Sequence, residues 1–474
     1  MIARALLGLV LAACTTARET GPLSAPALMK HVGVLADPRL DGRLAGTPGE
    51  REAARYVARQ LHAAGLEPSE QAVPIFLGSS TNVHALLAGK TNEVIVIGAH
   101  IDHLGLRGGE LYPGADDNAS GVALVLGIAQ TLATRRAELG RSVLFVLFGA
   151  EEQGLLGSSY FVECAVSANR QKRCDAPVAL SRIVGMVNLD MIGRPIHDER
   201  SQGWYRPLLR LVGIDRDGAV GLIGTRHFPA LRTLADAAFA AEGGEIVAAE
   251  DLPDEIEQLA ESQSDQRSDS FPFEQHHIPA LFFGDAESED YHRPTDTIDR
   301  LDPALLARHA RAVARVVLAL SNAPRAAFDR SEAVPPKRKP RSGWYLPLGF
   351  STALSIHSKA GYVYGGEASL VHLSTDSLGY AGVYADALRV GATDTMRISV
   401  GPEIGRRWLG LDAGYVMELD HGNVVHRGAV IRPFASLSVL SIGVRLGYLH
   451  DEGAFAELGL LVKVPLALHT RSMP

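Results

Sequence analysis

Apolar side chains in this 474-residue chain change their period once, at Pro335-Pro336-Lys337-Arg338-Lys339-Pro340. Before that stretch they come in continuous runs, such as Val94-Ile95-Val96-Ile97-Gly98, or at helical spacing. After it they alternate singly with glycine and charge. Continuous runs suit strands covered on both faces, whereas alternation suits strands with two unlike faces. Two periods in one chain predict two folding units, and the proline-rich segment reads as an extended linker over 326–342.

The first unit, 26–325, reads as an α/β fold: a mostly parallel open sheet flanked by helices. Helical spacing occupies 27–35 and 49–64, the second segment closing at Gly65 as a C-cap. Strand-like runs fall at 94–98, 142–148, 183–189 and 280–283, with a long apolar helix expected over 120–139 and closed by Gly140. The second unit, 343–474, carries about eight period-two segments parted by turn residues such as Asp420-His421-Gly422-Asn423. It reads as an antiparallel β domain, and eight such strands can close into a small barrel. Ile442, Val444, Leu446 and Tyr448 alternate there with Gly443, Arg445 and Gly447. A barrel in a membrane would turn the apolar set outward, and a soluble one would invert it.

Composition narrows the functional classes. There are 46 Lys and Arg against 54 Asp and Glu, a net charge of −8, so nothing advertises nucleic-acid binding. Met1-Ile2-Ala3-Arg4 and the short apolar run behind it read as a signal peptide over 1–13. Leu11-Ala12-Ala13-Cys14 resembles the lipobox of bacterial lipoproteins. That resemblance implies lipidation of Cys14 and a tether over 14–25, with outer-membrane sorting; an ordinary secretory signal is the alternative. Export leaves Cys164 and Cys174 as a candidate disulfide, or as two buried thiols.

Five separated stretches each hold a residue suited to a divalent metal. They are Ala99-His100-Ile101-Asp102, the 114–121 segment around Asp116-Asp117-Asn118, Gly149-Ala150-Glu151-Glu152, Asn188-Leu189-Asp190 and Tyr291-His292 with the loop to Thr297. Three follow strand-like runs, where α/β sheets build their sites. Imidazole and carboxylate ligands without cysteine suit hydrolytic zinc more than structural zinc. A carboxylate beside a metal-activated water is a natural general base, which makes the adjacent Glu151-Glu152 pair informative. Asp102 could orient the ring of His100.

These stretches, with Asp41-Gly42-Arg43-Leu44-Ala45-Gly46-Thr47 upstream, resemble the zinc aminopeptidases with a co-catalytic metal pair. Glutamate carboxypeptidases and glutaminyl cyclases share that family's fold. The resemblance implies two Zn2+ ions, one held by His100 and Asp190, the other by Glu152 and His292, with Asp117 bridging across a cis Asp117–Asn118 bond. It implies Glu151 as general base, Tyr291 near the developing oxyanion, and peptides with a free N-terminus as substrates. Ser268-Asp269-Ser270 stands where many members read Ser-Asp-His, a departure that bears on substrate preference. The resulting expectation is an aminopeptidase of the bacterial cell envelope, anchored by lipid or by the barrel. Glutaminyl cyclase-type acyl transfer and a non-catalytic scaffold are the alternatives.

Overall fold

The computed structural model describes residues 20–167, 176–196, 218–252, 268–285, 288–332, 343–357, 361–374, 379–406, 408–437 and 440–470. The leader, Cys14 and Cys174 lie outside them. Cys164 is disulfide-bonded. The chain divides into two compact units, with residues 216–337 in the first and 338–474 in the second.

In the first unit an eight-stranded sheet runs β1 (Ser69–Ile75), β2 (Gly78–Leu87), β6 (Arg141–Phe148), β3 (Thr91–His100), β7 (Ile183–Leu189), β10 (Ala280–Gly284), β8 (Ala219–Ile223), β9 (Glu245–Ala248). A two-stranded ribbon, β4 (Gly105–Arg107) with β5 (Glu110–Tyr112), stands apart from it. The centre, β6-β3-β7-β10, is parallel. The outer pairings of β2 with β6 and of β8 with β10 are antiparallel. Of these outer strands β1 and β2 are polar and β9 is short, while β8 (Ala219–Ile223) is an apolar run as long as β10 that the sequence reading passed over.

Helices cover both faces of this sheet. α1 (Ala25–Leu35), α2 (Pro48–Ala63), α3 (Gly121–Thr134), α5 (Pro229–Ala240) and α7 (Pro303–Asn322) close one core. α4 (Leu156–Ser167) and α6 (Phe271–Gln275) close the other, where Phe148, Phe161 and Phe273 meet edge to face or tilted. Thr47 and Asp302 cap α2 and α7, each followed by proline in the first turn. Two boundaries differ from the sequence reading. α3 ends at Thr134, not 139, because Arg135 turns to pair with Glu138 and the chain tightens into a 3-10 turn. The unit also continues past 325, since Phe328 is buried in the core beneath Arg141.

The second unit is a closed antiparallel barrel. Its strands are β11 (Gly343–His357), β12 (Tyr362–Ser374), β13 (Gly379–Val390), β14 (Thr395–Arg406), β15 (Leu409–Asp420), β16 (Asn423–Leu437), β17 (Leu440–Leu449) and β18 (Gly453–Thr470). β11 pairs with β18 to close the ring, so the sheet leaves no free edge. Among the described residues no helix is long and apolar enough to cross a membrane.

Candidate metal centre

The parallel strands deliver their carboxyl ends to one place. His100 is the last residue of β3, Glu151 and Glu152 follow β6, and Asp190 follows β7. Asp117 comes from the loop before α3, and its peptide bond to Asn118 is cis. Gly114 makes that loop possible: its φ is +60°, and a Cβ there would strike Asp117 O and the ring of His103.

Two sets of donor atoms meet on Asp117. His100 Nε2 lies 3.2 Å from Asp190 Oδ1 and 3.3 Å from Asp117 Oδ1. His292 Nε2 lies 3.2 Å from Glu152 Oε2 and 3.3 Å from Asp117 Oδ2. Ligand atoms around a tetrahedral zinc with bonds of about 2.0–2.1 Å stand about 3.3 Å apart. Asp117 Oδ2 is buried, and no hydrogen-bonding geometry satisfies it among the described residues. Its lone pairs therefore call for a different partner, and a bridged pair of divalent ions fits the donor set. Asp116, its neighbour, turns away and accepts the Gly193 N–H at 2.9 Å.

Charge leads to the same conclusion. Asp102, Asp117, Glu151, Glu152, Asp190 and Asp269 crowd around His100, His103 and His292, six carboxyl groups against three imidazoles, which a divalent cation would help to hold ionised. Burial pushes the Glu151 carboxyl well above its usual range, and the charges of Asp190, Asp269 and Glu152 add to this against His100. Burial likewise raises Asp190. At His292 burial opposes protonation, yet Asp117 and Glu152 raise it to about 10. Burial raises Asp269 to about 7, and it stands close enough to His100, Asp190 and Glu151 for their charges to act on one another.

Asp102 acts differently from the sequence expectation. Its carboxylate stands 3.9 Å from His100 Nδ1, which instead lies 3.1 Å from the Asp102 carbonyl oxygen. The carboxylate accepts the backbone N–H groups of Glu151 at 3.0 Å and Glu152 at 3.3 Å. It is therefore a clamp on the turn that carries both glutamates. Tyr291 stacks its ring on His292, with centroids 3.9 Å apart.

Three positioning residues went unassigned in the sequence. His103 Nδ1 lies 2.8 Å from Glu152 Oε1, the carboxylate oxygen other than the one facing His292, and its ring meets that of His292 edge to face. Asp296 accepts the N–H groups of Asp116 and Asp117, holding the bridging acid. Arg43, fully buried, donates to the carbonyls of Ile101, Leu35, Pro113 and Gly114 and so ties the His100 and Asp117 loops together. Arg43 and Asp296 stand inside the motif stretches and His103 one residue beyond the first, but nothing in their spacing distinguishes them from loop residues.

Residues 82–317 match Peptidase family M28. This chain carries an M28 peptidase domain. It is 28% identical over 256 residues to the uncharacterized protein YfbL of Escherichia coli, covering 52% of this chain and 74% of that one. It is 26% identical over 242 residues to a probable leucine aminopeptidase of Arthroderma otae, covering 49% and 55%. The solved structure of a zinc aminopeptidase from Bacillus subtilis overlays 66% of this chain and 98% of its own, at 15% identity and a TM-score of 0.47.

Proposed function

We propose that this M28 protein is an aminopeptidase that holds two zinc ions, one between His100 and Asp190 and one between Glu152 and His292, with Asp117 shared. The observation that carries this reading is the pair of Asp117 oxygens, each 3.3 Å from a different histidine. When bound, zinc supplies positive charge that acidifies water and polarises a carbonyl. Glu151 takes the proton of the attacking water onto its carboxylate and returns it to the leaving amine. The surplus of carboxylates favours a substrate with a free N-terminal ammonium, in keeping with the name of the Arthroderma otae relative.

A location in the cell envelope is part of the proposal. The leader over 1–13, Cys14 and the disulfide at Cys164 support it, since disulfides persist outside the reducing cytosol.

The test compares wild type with Glu151→Gln on leucine p-nitroanilide and on its N-acetylated form, with metal content measured alongside. The variant should keep two zinc ions per chain and lose about 10²- to 10⁴-fold in turnover. The acetylated substrate should be inert. Unchanged turnover in the variant rejects the base, and equal rates on both substrates reject exopeptidase action.

A further inference from the structure

The barrel wears its hydrophobic side outward. Phe350, Leu370, Val400, Leu411, Ile442 and Leu460, from six different strands, are 37–54% exposed. No acidic side chain occupies an outward position within the described strands. The outward cations Arg389 and Arg406 stand at strand ends, and Arg427 stands level with the turn beyond β17, where its backbone carbonyl accepts the His450 N–H. Long cationic side chains at a rim can reach polar surroundings.

Exposed aromatics mark both rims, while Phe350 and Tyr415 stand at the middle of β11 and β15. Trp344 and Trp408 mark the rim where the chain enters the barrel; Tyr362, Tyr364 and Tyr448 mark the opposite one. A strand of about 12 residues tilted at about 40° spans about 30 Å, the thickness of a bilayer's hydrocarbon core. An apolar, mostly aliphatic middle, aromatics at both borders and no outward acid form one pattern. A protein partner would have no need of this pattern around the full circumference.

The inside is filled. Arg432 joins Glu367 and Asp412, and Arg445 joins Asp386. Arg397 reaches Glu418 at 3.0 Å and Glu457 at 2.5 Å, while Lys463 reaches Glu367 at 2.5 Å and Glu403 at 3.0 Å. Arg432–Asp412 and Arg397–Glu418 join neighbouring strands, while the others cross between strands that are not neighbours, for example β12 to β16 and β14 to β18. Phe455 packs against Arg397 at 4.2 Å. Eight strands enclose a width that side chains alone can fill.

We propose that residues 343–470 insert into a lipid bilayer as a sealed anchor, which fixes the protein to a membrane and conducts neither ions nor peptides. This proposal is independent of the peptidase reading. The test uses the full chain, purified in detergent and mixed with vesicles of phosphatidylethanolamine and phosphatidylglycerol. Wild type should float with the vesicles, resist carbonate extraction and shift in gel mobility on heating. In a planar bilayer it should give no conductance steps.

The double variant Val400→Arg/Leu460→Arg places charge on the outward middle of the barrel and should float at least tenfold less. Glu151→Gln should float as wild type does, which separates failure of the anchor from failure of the peptidase. A wild-type chain that stays monodisperse without detergent and does not float overturns the proposal, whether it is monomeric or hides the belt in a dimer. Discrete open channels would overturn the seal.

Discussion

Replacing Asp102 with alanine tests whether one carboxylate holds the catalytic turn. In the structure it accepts two backbone N–H groups, from Glu151 at 3.0 Å and Glu152 at 3.3 Å, in a fully buried setting. A hydrogen bond to a charged acceptor is worth about 1.5–3 kcal/mol, and a buried donor left bare costs a similar amount, so the pair represents about 3–6 kcal/mol. Some of that is regained, because burial raises the Asp102 carboxyl well above its usual range and alanine has no charge to desolvate. The remainder falls on a turn whose displacement by about 1 Å can cost about 10²-fold in turnover. The Glu152 side of the metal centre should weaken about 10- to 100-fold in zinc affinity, the usual effect of losing a group that orients a ligand. Competition with a chromogenic chelator measures that affinity, and aminoacyl p-nitroanilide hydrolysis measures turnover. Asp102→Asn keeps one acceptor and should fall between alanine and wild type. If Asp102→Ala binds zinc within twofold of wild type and turns over normally, the clamp does not exist and the turn is held by other contacts.

His103→Ala should empty the Glu152–His292 side first, so that metal analysis at a fixed chelator concentration finds one zinc per chain where wild type holds two; equal stoichiometry refutes this. Arg43→Met strips one donor group from four buried carbonyls and should lower stability by about 3 kcal/mol or more, read by chemical denaturation. Arg43→Lys should rescue little, because a single ammonium cannot match the guanidinium's fork. Acid should destabilise the peptidase unit through His31 and His309, which burial lowers from 6.5 to about 4. Both are neutral in the fold, and the unfolded chain takes up their protons first. Their contribution is therefore complete above pH 6.5 and is lost as pH falls towards 4, by about 3 kcal/mol each. Denaturation between pH 7.5 and 4.5, with chelator throughout, should show a shallower loss in His309→Gln; an identical slope rejects His309 as a source.

The sequence alone determined the two units and their classes. Runs such as Val94–Gly98 have no polar face to offer, so they can only be buried centre strands, and the alternation after residue 343 admits only two-faced strands. It also marked His100, Glu151, Glu152 and Asp190 as candidates, because a carboxylate or imidazole at the end of such a run is costly to bury without a purpose; His292, in a polar loop, was marked only by the family resemblance. Tertiary structure decided what each neighbour does. Whether Asp102 faces His100 or the Glu151 turn depends on the angle at which β3 hands over to its loop, and spacing along the chain carries no such angle. Which of Asp116 and Asp117 stands between the histidines depends on Asp296, 179 residues away in sequence from Asp117. The barrel shows the same division. Alternation fixes that one face is apolar and the other charged, but only closure of β11 on β18 decides which face looks out, because inside and outside do not exist until the ring is complete.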